Sequence, residues 1–138
     1  MMKLVSCVAL AAALLSIIPA SAQAPKSAAA SAAAQKEFNG FIAKFRAALK
    51  ANDAAAIAGM AKLPFQNDAA IADAAQFRAK VYKPDFTAKT RACLQREKPV
   101  HDRDGDGNHT FSIGCGDNIF VFTRTAAGFL LTDIAMND

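Results

Sequence analysis

Phe38, Phe41, Ile42, Phe45, Ala48 and Leu49 recur at the three- and four-residue spacing of one helical face, while Lys44, Arg46 and Lys50 fall on the other faces. The spacing predicts a long amphipathic helix whose aromatic stripe packs into a core. Asn52 suits its end, and Asp53 suits the N-cap of a short second helix that carries Ile57 and Met60 and is limited by Gly59 and Pro64. Leu63-Pro64-Phe65 then leads into a loop around residues 66–68. Asp73 with Gln76 three residues later forms a capping-box pattern opening a third helix, with Phe77 and Val81 on its apolar face and Pro84 as its stop.

From Phe111 the period changes from helical to alternating. Phe111, Ile113 and Cys115 alternate with Thr110, Ser112 and Gly114, which predicts a strand with one buried face. After the turn residues 116–118, Ile119-Phe120-Val121-Phe122 is a continuous apolar run suited to a central strand buried on both faces. Residues 126–128 turn again, and a third strand runs from Phe129 to Ile134. Three short strands with tight turns make an antiparallel meander. Helices first and strands last place the chain in the α+β class, with N-terminal helices packed on a C-terminal curved antiparallel sheet.

The first twenty-two residues do not belong to that pattern. Lys3 supplies a positive n-region, Val8 to Ile18 an apolar stretch too short to span a bilayer, and Ala20-Ser21-Ala22 the small-x-small pattern that a signal peptidase accepts. Leu4-Val5-Ser6-Cys7 matches a lipobox locally, but a lipobox must follow its apolar segment, and here the segment comes after Cys7. A retained anchor helix is disfavoured by the short run and by Pro19. The expected organisation is a cleaved signal over 1–22, a flexible Ala/Ser-rich leader over 23–34 and one α+β domain over 35–138. The mature protein is then periplasmic or secreted, with no membrane anchor after cleavage.

Export changes the cysteine count. Cys7 leaves with the signal, and the remaining pair, Cys93 and Cys115, reads as a disulfide in an oxidising compartment. Their spacing lacks the C-x-x-C pattern of a redox-active pair. Residues 86–98 admit two readings. Phe86, Thr90, Cys93 and Leu94 fit one helical face, whereas the midpoint of the two cysteines falls on Asp104, where a hairpin would set them opposite each other. The helix is preferred because the apolar pattern is poor for a strand.

The formal net charge of +4 falls to +3 when Lys3 is removed. Its distribution says more: basic residues crowd Arg78 to Lys98, and acidic ones dominate from Pro99 onward. Such segments can pair within a fold or present a basic strip to an anionic surface. Without interleaved exposed aromatics, nucleic acid is not an expected partner. Phe is abundant, Tyr82 is the single tyrosine and Trp is absent, which weighs against a large protein-binding face.

One motif carries chemistry. Residues 102–107 read DRDGDG, the opening of a calcium loop in which Asp102, Asp104 and Asp106 converge on Ca²⁺ and Gly107 permits the bend. The twelfth position is Ile113 where an EF-hand has its bidentate Glu, and a strand follows where a helix should. The alternative is a polar hairpin turn, which uses the same residue types. His101 and His109 flank the turn and raise the question of a transition metal. No Ser-His-Asp arrangement, phosphate-binding glycine loop or H-E-x-x-H motif is present. After Glu37 and Glu97 no glutamate remains for a paired acid/base site.

The order of these elements, with "NDAAAIAGMAKLPF", "FRAKVY", "FSIGCGDNIFVF" and "GFLLTDIAMND", resembles small exported proteins of the nuclear transport factor 2-like superfamily. The resemblance implies a cystatin-like roll with a cone-shaped cavity between sheet and helices. Fold alone does not choose among that superfamily's activities. The expected function is a non-enzymatic binding or accessory domain, taking a small hydrophobic ligand or an envelope protein in or near a modest apolar cavity. The alternatives are a small cavity enzyme of isomerase or dehydratase type, which needs Asp73, Tyr82 or Asp133 in one pocket, and a Ca²⁺-stabilised interaction module. Catalytic residues, ligand identity and oligomeric state are not assigned by the sequence.

Overall fold

The computed structural model describes residues 30–138. The expected signal segment and the leader up to residue 29 lie outside the described residues. Among the described residues five α-helices precede four strands: α1 (Ala32–Lys50), α2 (Ala54–Gly59), α3 (Ala74–Phe77), α4 (Lys83–Asp85), α5 (Ala88–Arg96), then β1 (Val100–Arg103), β2 (His109–Cys115), β3 (Asn118–Thr125) and β4 (Gly128–Met136). The strands form one antiparallel sheet in the order β1-β2-β3-β4, curved and unclosed. The α+β arrangement is as expected. Among the described residues no helix is long and apolar enough to cross a membrane.

Local chemistry sets the helix ends. Ser31 accepts from the Ala34 N–H and starts α1 three residues before the expected domain start, so Ala34 is already core. Asn52, at φ 52°, ends the passage out of α1, and the Asp53 carboxylate accepts from the Ala56 N–H to open α2. Asp73 and Gln76 form the full capping box at α3. Pro84 does not stop the third helix where expected. It sits inside α4, after a π-type turn over Arg78–Tyr82. A widened turn relieves the clash between a proline ring and the carbonyl four residues earlier.

Phenylalanine fills the space between the two layers. Phe38 of α1 stacks on Phe111 of β2 with ring centroids 3.9 Å apart, and Phe45 meets Phe122 edge-on at 5.1 Å. Phe86 meets Phe120 at 5.3 Å. All six rings are fully buried, so aromatic side chains pack the space between these helices and strands.

Residues 86–98 are helical: Thr87 caps α5, and Leu94 is its buried anchor. Cys93 on α5 is joined to Cys115 at the end of β2, with Cα atoms 5.9 Å apart. The expected disulfide is therefore present, as a helix-to-strand staple. The strand alternative fails on register. The β1–β2 hairpin pairs Arg103 with His109 and His101 with Phe111, which centres it on Asp106 rather than Asp104. The C-terminus of α5 is closed by α1, where the Arg46 guanidinium donates to the carbonyls of Leu94 (2.9 Å) and Glu97 (2.7 Å). These are helix-end acceptors with no partner inside the helix, and a cation there also complements the helix dipole.

Two further expectations change. β3 is central but buried on one face only: Phe120 and Phe122 enter the core, while Ile119 and Val121 are half-buried on the face without helices. The ion pairs among the described residues, Arg96–Glu97 and Arg124–Glu37, do not join the basic segment to the acidic one.

Candidate functional site

The helix-free face of the sheet carries a groove of about 600 Å³. Thr110, Val121, Thr123 and Thr132 make its floor. The segment from Lys62 to Asn67 forms one wall, and Asp104, Asp106 and Asn108 of the β1–β2 turn form the other. The size lies within the range of small-molecule sites.

A β-bulge sets the floor chemistry. Phe122 pairs with Leu131 but Val121 pairs with Asp133, so Thr132 is the extra residue. In a regular strand Thr132 and Asp133 would point to opposite faces. The bulge puts both on the groove side and returns Ile134 to the core side, opposite Phe120. The Thr132 and Thr123 hydroxyls are hydrogen-bonded at 2.7 Å, and Thr132 also donates to the Val121 carbonyl.

The first wall is tied to the edge of β4. The Lys62 N–H donates to the Leu131 carbonyl, and the Leu131 N–H donates to the Met60 carbonyl. Gln66 and Asn67 both have left-handed backbones, at φ 54° and 58°. From that position the Gln66 side chain donates to the Asp133 carboxylate and to the Ile134 carbonyl. These contacts cover an edge strand that would otherwise leave its backbone open to pairing.

The second wall is the DRDGDG turn. One Asp104 oxygen accepts from the backbone N–H groups of Asp106 (3.0 Å) and Asn108 (2.8 Å), and the other from the Asn108 side chain (3.0 Å). Those bonds, that of the Asn108 side chain foremost, hold the Asp104 carboxyl below the usual carboxylate range. Asp102 accepts from the neighbouring Arg103 N–H. Among the described residues no three His, Cys, Asp or Glu side chains are grouped to hold a metal ion. Asp104 acts here as the clasp of a hairpin turn, and Asp106 and Asp104 line the groove wall.

Comparison with family models, curated proteins and solved structures finds no match to this chain. The site must therefore be read from its own geometry.

The residues an enzyme would need are dispersed. Asp73 is spent on the cap of α3, and the buried Tyr82 donates to Asn52 at 2.7 Å. Burial chiefly raises the Tyr82 pKa, so its hydroxyl stays protonated. Asp133 lines the groove and the other two do not. Sequence reasoning missed Lys62, Gln66, Thr123 and Thr132. The available signal was a slip in the apolar phase of β4, from Phe129 and Leu131 to Ile134.

A second cleft of about 860 Å³ lies between α5 and the β2–β3 turn, beside Cys93 and Cys115. It includes Asp85, whose pKa is raised by burial. At the opposite, helix-facing side of the β1–β2 hairpin, His101 Nε2 and His109 Nδ1 are 2.9 Å apart.

Proposed function

We propose that this chain is an extracytoplasmic, non-enzymatic binding or accessory domain that holds a small polar ligand in the groove on the helix-free face of its sheet. The observation that carries this reading is the bulge at Thr132. It turns Asp133 and Thr132 out beside Thr123, next to the wall that includes Lys62, and gives the groove a carboxylate and hydroxyls on the sheet floor. The filled interior supports moving the ligand from the helix–sheet space to this face, and from hydrophobic to polar. The Cys93–Cys115 bond is compatible with a periplasmic or secreted location. Helices followed by a curved antiparallel sheet support kinship with nuclear transport factor 2-like proteins without assigning an activity.

The test is native mass spectrometry of the protein purified from its own compartment. Wild type should carry a small-molecule adduct that Thr123→Trp, which fills the groove, and Asp133→Asn lose or weaken. An adduct equally retained by both variants, or none on wild type, would overturn the reading.

A further inference from the structure

The two histidines beneath the groove wall are in a hydrogen-bonded chain whose protonation can be worked out. Arg103 Nη2 lies 3.4 Å from His109 Nε2, and a guanidinium can only donate, so His109 Nε2 is the bare, accepting nitrogen. A neutral His109 then carries its proton on Nδ1 and donates it to His101 Nε2 at 2.9 Å. His101 in turn carries its proton on Nδ1, which is buried without a partner. The only bare ring nitrogens, His109 Nε2 and His101 Nε2, are both already accepting a hydrogen bond. One added proton on His109 sets its Nε2 donor against the Arg103 guanidinium.

The chain reaches the groove through Arg103. Its Nη1 donates to the Gly107 carbonyl at 2.8 Å, inside the turn whose Asp104 and Asn108 form the groove wall. A proton on His109 therefore repels the guanidinium that grips the turn. β1 is four residues long and is paired with β2 alone, so the hairpin is held by that pairing, by the Asp104 clasp and by the Arg103 grip on Gly107. We propose that Arg103, His109 and His101 form a proton-sensitive latch that keeps the turn wall in place, so that the groove releases its ligand as the medium acidifies. This rests on the groove being the binding site.

The groups around His109 agree in sign. Burial is the main cause lowering its pKa from 6.5, with Arg103 and His101 of β1 and Arg124 of β3 adding to it. Glu37 of α1 alone opposes them, and it is already paired with Arg124. The neutral latch is complete above the ordinary imidazole value and is lost as pH falls through the lowered one.

Ring-nitrogen NMR of ligand-free protein tests the latch directly. Above neutrality His109 should be protonated on Nδ1 and bare on Nε2, with His101 also protonated on Nδ1. On acidification the amide signals of Gly107 and Asn108 should shift with the ring midpoint, and His109→Gln should remove that shift. An Nε2-protonated His109, or turn amides indifferent to ring titration, would overturn the latch. If the variant does not fold, the wild-type tautomers decide. In wild type, the affinity of the groove for its adduct should fall roughly tenfold across the transition, within the usual range of coupling between two sites. A latch with pH-independent adduct overturns the gating and leaves the groove reading intact, whereas absence of any adduct overturns the groove reading itself.

Discussion

Asn108 holds Asp104 twice, through its backbone N–H at 2.8 Å and its side-chain amide at 3.0 Å. The aspartate is therefore a turn clasp, and Asp104→Ala should destabilise the protein by about 1–2 kcal/mol, the cost of charge-assisted turn bonds. Urea unfolding checks this. The folded pKa is depressed, so the contribution is full above the ordinary value of 3.8 and is lost as pH falls through the folded one. A wild-type profile flat through that acid range would contradict the role.

Because both Asp104 oxygens are engaged, millimolar Ca²⁺ should leave the thermal midpoint unchanged relative to chelator. A clear upward shift would mean that the turn rearranges to bind the ion.

Cys93–Cys115 closes a loop of 22 residues and fastens α5 to the sheet. Replacing both cysteines by serine should cost about 3 kcal/mol by loop-closure entropy. Equilibrium unfolding of the double variant against oxidised wild type reads this, and equal midpoints would remove the disulfide from the account.

Arg46 satisfies two carbonyls at the end of α5. Arg46→Met keeps most of the aliphatic stem and should still lose about 1.5–3 kcal/mol, with amide exchange rising first in the last turn of α5. Exchange unchanged there would show that water substitutes for the guanidinium.

Phe38 touches Phe111, Phe122 and Phe129 and is fully buried. Phe38→Ala should cost about 3–5 kcal/mol, and Phe38→Leu distinctly less, as measured by urea midpoints.

The legible parts of the fold are those fixed by local chemistry. Asp53 and Asp73 announce their helices because a cap is made within three residues. The Phe38–Phe45 stripe announces α1 because its periodicity is intrinsic. β1 was not legible, since Val100-His101-Asp102-Arg103 has no apolar alternation and owes its strand to pairing with β2. The disulfide partners followed from a count, but their geometry depended on a hairpin register that no local pattern sets. The groove was least legible. Lys62 and Gln66 reach it only through contacts with β4, and Asp133 faces it only because of the bulge at Thr132.

The claim on which the function rests is that ligand sits on the helix-free face. The most direct measurement is amide chemical-shift mapping of the labelled protein during titration with the small-molecule fraction of its own compartment. Shifts should concentrate at Thr110, Val121, Thr123, Thr132 and Asp133, where the floor lies. Shifts confined to the cleft between α5 and the β2–β3 turn, or no shifts, would contradict it.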